Sequence, residues 1–124
     1  LLEEILRVER LSKQFVKKSI LSSNISIVKA VEDVSFSLYS GEVLVIAGES
    51  GSGKSTIAKL ILGAADPDSG EIFFEGKKSN DEPNILKKIR TQCQMVYQDP
   101  YDSINPRMKV VDIISEFGQI TTSQ

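Results

Sequence analysis

The sequence predicts an α/β fold, on three observations. Val43-Leu44-Val45-Ile46-Ala47 is an apolar run too short for a helix and bounded by Gly41 and Gly48, as a buried strand would be. Gly48-Glu49-Ser50-Gly51-Ser52-Gly53-Lys54-Ser55 follows at once and fits G-x-x-x-x-G-K-[ST], the phosphate-loop pattern. Ile57-Ala58-Lys59-Leu60-Ile61-Leu62 then carries a helical apolar pattern, so strand, glycine-rich loop and helix come in the order this motif requires.

Ile5 to Leu11 alternates apolar and charged residues and reads as a half-exposed strand. Phe15 stands alone in the polar context Lys13-Gln14-Phe15-Val16-Lys17-Lys18, which by itself suggests a loop anchor rather than a ligand contact. Ser19 to Ser26 is Ser-rich and reads as a loop or loose hairpin. Val28 to Tyr39 sets Val34, Phe36 and Leu38 on one face and Ser35, Ser37 and Tyr39 on the other, a strand of period two.

Beyond the central helix, Gly63 to Gly70 should reverse the chain. Asp66-Pro67-Asp68-Ser69 has the residues of a type I turn, with Pro67 in second position. Glu71 to Glu75 reads as a short strand, and Lys77 to Pro83 as a charged, flexible connection. Asn84 to Thr91 is expected to be a short helix burying Ile85, Leu86 and Ile89. Gln94-Met95-Val96-Tyr97 reads as another strand and Tyr101 to Arg107 as a polar loop between Pro100 and Pro106. Val110, Ile113, Ile114 and Phe117 recur at helical spacing, and 119–124 is a polar tail. Residues 1–118 are expected to belong to one unit.

The chemistry of the phosphate loop dictates its residue types. A polyphosphate needs several backbone N–H groups aimed inward together, which a loop of Gly48, Ser50, Gly51, Ser52 and Gly53 can provide. The helix that starts near Lys54 adds its free N–H groups and the positive end of its dipole. Lys54 supplies a mobile charge for the β- and γ-phosphates, Ser55 a hydroxyl for Mg²⁺, and Thr56 a donor to the α-phosphate. The motif therefore points to binding of a nucleoside triphosphate.

Composition sets bounds on this. With 124 residues, 40% hydrophobic and 26% charged, the chain suits one modest soluble domain. A net charge of −2 gives no electrostatic case for a nucleic-acid partner. The single cysteine, Cys93, allows no internal disulfide and reads as a small buried residue in a protein of a reducing compartment. No apolar run approaches the ~20 residues that span a bilayer, and Leu1-Leu2-Glu3-Glu4 lacks the basic start of a signal peptide. A cytoplasmic protein able to dock on a membrane partner is expected.

At Gln98 these motifs join into a family pattern. The phosphate loop, followed by Met95-Val96-Tyr97-Gln98-Asp99-Pro100, resembles the ATPase subunit of an ABC transporter. Tyr101-Asp102-Ser103-Ile104-Asn105-Pro106-Arg107-Met108, Val28 to Phe36 and Pro67-Asp68-Ser69-Gly70-Glu71-Ile72 are similar to the branch importing dipeptides, oligopeptides or nickel complexes. The resemblance implies the cassette's P-loop NTPase fold, with an antiparallel β-subdomain and the start of its RecA-like core. It makes Phe15 the aromatic that stacks on adenine, and Gly48, Ser50 to Gly53, Lys54, Ser55 and Thr56 the Mg-ATP site. Gln98 takes the place of the glutamine that touches Mg²⁺ or the attacking water and senses the permease. Residues 99–108 match the surface that receives the permease, which would hold the protein on the inner face of the plasma membrane. A second ATPase subunit would be a further partner.

The sequence also departs from the family. Leu-Ser-Gly-Gly-Gln is absent, as is any run of four apolar residues followed by Asp-Glu, and there is no histidine. An N-terminal part of a cassette that binds Mg-ATP without hydrolysing it alone is expected, with Lys54 and Gln98 as its catalytic-site residues. Two alternatives remain. Another P-loop enzyme is one, although the GTPase motifs Asp-x-x-Gly and Asn-Lys-x-Asp do not occur. A non-catalytic fragment contacting a permease is the other.

Overall fold

The computed structural model describes residues 2–18, 25–79, 82–99 and 104–115. The chain divides into two compact units, Leu1–Gln92 and Cys93–Gln124.

The first unit is built on a long antiparallel hairpin, β1 (Glu4–Lys18) and β2 (Ile25–Tyr39). A third strand, β3 (Ser69–Phe74), pairs with the other edge of β1, and the two-residue β4 (Lys77–Lys78) completes a four-stranded sheet of order β2-β1-β3-β4. The alternation seen in the sequence becomes burial. Leu6, Val8, Ile72 and Phe74 are buried, and Val34, Phe36 and Leu38 pack beside them. Helix α1 (Lys54–Ile61) covers this core with Ile57 and Leu60, three residues apart on one helical face.

Both strands of the hairpin break stride near their middle. Arg10 (φ 49°) and Asp33 (φ 51°) adopt left-handed backbone, uncommon for residues with a Cβ, and the register shifts between Val8 and Leu11. Side chains take over there: Ser35 Oγ accepts from the Arg10 N–H at 2.8 Å and Ser12 Oγ from the Asp33 N–H at 3.0 Å. Beyond the break the hairpin still supplies Leu11 and Val31 to the core, and further out it carries Phe15, Val28 and Ala30.

Helix α2 (Pro83–Gln92) buries Ile85 and Ile89 as the spacing predicts, with Leu86 half-buried. Its Arg90 guanidinium donates to the Gly63 carbonyl at 2.7 Å, where α1 ends and leaves carbonyls without helical partners.

Several expectations change. Lys77–Lys78 pair with β3 instead of forming a flexible link. Asp66 to Ser69 shows no hydrogen-bonded turn, and the Asp68 N–H donates across the sheet to the Ser12 carbonyl at 3.0 Å. Phe15 lies on β1, paired with Val28, and not in a loop. Residues 43–47 form no strand and pair with none among the described residues. Val43 and Val45 are 87% and 77% exposed, against 39% and 40% for Leu44 and Ile46. The period of two thus survives where the ladder does not, because a strand between two others needs both neighbours to satisfy its backbone.

In the second unit, Gln94 to Tyr97 likewise forms no strand and Val96 is exposed. Residues 110–115 are helical, with Ile113 half-buried and Val110 and Ile114 exposed. Phe117, 119–124, 19–24 and Pro100 to Ser103 lie outside the described residues, while Ile25 and Ser26, expected in a loop, lie on β2.

Candidate functional site

The loop between Ala47 and α1 folds through its glycines. Gly51 and Gly53 have φ of 81° and 95°, which residues with a Cβ adopt only under strain. Gly53 is also the residue before α1, and no side chain caps the helix there. The first turn of α1 contains no acidic residue and begins with a lysine. A cation at the positive end of a helix costs about 0.3–1 kcal/mol, so the arrangement weakens the helix unless an anion joins it. The same uncapped N–H groups are donors for such an anion.

Lys54 Nζ turns back over the loop. It donates to the carbonyl oxygens of Gly48 (2.8 Å) and Glu49 (2.6 Å) and to Ser52 Oγ (3.2 Å). The ammonium is thus held at the mouth of the loop by neutral acceptors that phosphate oxygens can replace.

An open cleft of about 300 Å³ lies against this loop. Gly51, Gly53, Lys54, Ser55 and Thr56 form one side; Phe15, Val28 and Ala30 of the hairpin form the other. The structure therefore brings Phe15, distant in sequence, to the phosphate loop. The residue is 42% exposed, which leaves surface for stacking. Lys13 Nζ stands 5.8 Å from the ring centroid, within reach of a cation–π contact. Gly48, Ser50 and Ser52 belong to the loop without lining the cleft. Gln98 is exposed in the second unit, on backbone that is neither helix nor strand.

Val28 and Ala30 were not singled out by the sequence, since only the β1–β2 register sets Val28 opposite Phe15. Asp68 was also missed as a supporting group. Its carboxylate accepts from Lys13 Nζ at 2.8 Å and from the Gln14 N–H at 2.7 Å. These two bonds, the lysine's first, hold its pKa below the ordinary carboxylate value.

A larger groove of about 640 Å³ at the hairpin break is lined by Glu9, Glu32, Asp33 and Glu71 with Arg10 as its cation. Its carboxylates repel phosphate, so size does not decide between the two. No cluster of three or more His, Cys, Asp or Glu side chains able to hold a metal occurs among the described residues. At the cleft the side-chain oxygens are the Ser55 and Thr56 hydroxyls, with no carboxylate, which suits an ion carried mainly by phosphate oxygens and water. No helix among the described residues is long and apolar enough to cross a membrane.

Comparison with known proteins gives the family. A probable peptide ABC transporter ATP-binding protein of Sinorhizobium fredii is 43% identical over 116 residues, covering 92% of this chain and 33% of the relative. The oligopeptide transport ATP-binding protein OppF of Haemophilus influenzae is 43% identical over 118 residues, covering 92% and 36%. The chain thus spans about a third of the length of these curated relatives. Among solved structures, a nucleotide-free ATP-binding cassette from an ABC transporter superposes with a TM-score of 0.59 at 30% identity, over 91% of this chain and 46% of that one. A dimeric bacterial ABC transporter cassette reaches a TM-score of 0.69 over 91% and 46%, at 24% identity a likeness of fold alone. The sequence profile of the ABC transporter family matches residues 31–123, from β2 through the phosphate loop and beyond Gln98, and on that match the chain belongs to the ABC transporter family.

Proposed function

We propose that this chain binds Mg-ATP, as the N-terminal part of the energising subunit of an importer for peptides or nickel complexes. The observation that carries the reading is the single cleft between Phe15 and the loop Gly51–Thr56. Triphosphate oxygens take the N–H groups of the loop and of the first turn of α1. Lys54 exchanges its loop carbonyls for the β- and γ-phosphate oxygens, and Thr56 donates to the α-phosphate. Phe15 stacks on adenine, with Val28 beside it. When bound, Mg²⁺ would neutralise phosphate charge, with the Ser55 hydroxyl as the group of the cleft that would hold it.

The names of the relatives support the importer reading, as peptide and oligopeptide transport ATP-binding proteins. A further solved relative, 31% identical with a TM-score of 0.56 over 70% of this chain and 35% of that one, is a dimeric cassette holding ADP and Pi after hydrolysis. Gln98 and residues 99–108 are then the contact with a permease at the inner face of the plasma membrane, and a second cassette is the other partner. With no signature motif, no apolar strand ending in Asp-Glu and no histidine, this chain binds ATP without turning it over alone.

Photolabelling tests the orientation of the nucleotide. With 8-azidoadenosine triphosphate, label falls in peptides containing residues 13–16 or 27–30 and is competed by ATP. Label confined to other peptides, or unaffected by ATP, overturns the reading.

A further inference from the structure

Phe15 sits on the part of β1 that the sheet holds least regularly. Pairing with β3 ends at Ser12 opposite Ser69, and the register with β2 shifts on both sides of Lys13. Asp68, one residue before β3, occupies the gap. Its N–H donates to the Ser12 carbonyl at 3.0 Å, and its carboxylate accepts from the Gln14 N–H at 2.7 Å. Backbone and side chain of one residue thus continue the ladder where the strand itself has stopped. The other carboxylate oxygen takes Lys13 Nζ at 2.8 Å, and that same ammonium stands beside the Phe15 ring. Gly70 lets this turn approach β1 closely, for a Cβ there would stand 2.5 Å from the Arg10 carbonyl oxygen.

We propose that Asp68 is a positioning residue for the nucleotide base: by clamping Gln14 and Lys13 it fixes the segment of β1 that presents Phe15 to the phosphate-loop cleft. Asp68 does not itself line that cleft. Its effect therefore passes through Phe15 and touches only ligands that carry a base. The proposal rests on the reading of Phe15 as the adenine platform.

Calorimetric titration of the full chain with Mg-ATP and with magnesium triphosphate, the inorganic ion without a base, tests it. In Asp68→Ala and in Lys13→Met, ATP binding weakens by about 2- to 10-fold, the lower part of the range of coupling between neighbouring residues, while triphosphate affinity is unchanged. In a Phe15→Ala background, Asp68→Ala has no further effect on ATP. Equal weakening of both ligands by Asp68→Ala, or an undiminished effect on ATP without Phe15, overturns the proposal. Lys13→Met attacks the clamp from its other partner and decides the matter should Asp68→Ala not fold. Phe15→Ala alone separates the two readings. If it weakens both ligands equally, the base platform fails. If it is selective for ATP and the clamp variants are not, the clamp alone fails.

Discussion

A Cβ on residue 53 would stand 1.9 Å from the carbonyl oxygen of Ala30, so Gly53 is the point at which the phosphate loop rests on β2. Ala30 lies two residues from Val28, the partner of Phe15. This contact therefore sets the distance between the base end and the phosphate end of the cleft. Gly51 has a similar backbone conformation but nothing within 4 Å of its missing Cβ. Gly51→Ala should cost about 1–2 kcal/mol, the ordinary penalty for left-handed backbone. Gly53→Ala must also displace backbone and should cost more, with ATP affinity lost. Urea unfolding of the two variants checks this, and equal costs would contradict the contact.

Cys93 is half-buried, and burial raises the pKa of its thiol. A raised thiol pKa leaves less thiolate at neutral pH, and thiolate is the reactive form. Alkylation by iodoacetamide at pH 7 should run slower than that of free cysteine and quicken as the pH rises toward 9. Rapid modification at pH 7 would place Cys93 in a different environment.

Val43 and Val45 extend into solvent on backbone that pairs with no strand among the described residues. Each uncovered Val forgoes roughly 1.5–3 kcal/mol of burial, and an unpaired apolar edge is a template for association. The isolated chain should sediment as a concentration-dependent mixture, and Val43→Lys with Val45→Lys should shift it toward monomer. A monodisperse wild-type chain with slow amide exchange through 43–47 would contradict this.

Phosphate release from ATP should not exceed that of a Lys54→Ala control. Lys54 and Ser55 can bind and orient the phosphates, but no residue in the cleft is positioned to activate water. Lys54-dependent turnover would reveal a catalytic carboxylate outside the cleft, with Asp99 and Glu49 the first to substitute.

What the sequence made legible was whatever depends on near neighbours. The alternation in β1 and β2, the Ile57–Leu60 face of α1 and the Ile85–Ile89 face of α2 each lie within a few residues of the groups that define them. The glycine loop was legible for the same reason. Phe15 was not, taken alone, because its partners Val28 and the loop are set by register and fold rather than by spacing; the family resemblance supplied its role. Val43–Ala47 and Met95–Tyr97 have the composition of strands, yet a strand exists only where another strand meets its backbone. Asp68 was not legible as a supporting group for a related reason: Ser12, Lys13 and Gln14, which it meets, lie across the sheet and far away in the chain.

The most direct test of nucleotide binding at this loop is calorimetric titration of the wild-type chain and Lys54→Ala with Mg-ATP. Replacing Lys54 leaves the glycine geometry intact and removes a charged contact worth about 1.5–3 kcal/mol, so affinity should fall at least tenfold. Wild-type affinity in Lys54→Ala would show that the loop is not where the phosphates bind.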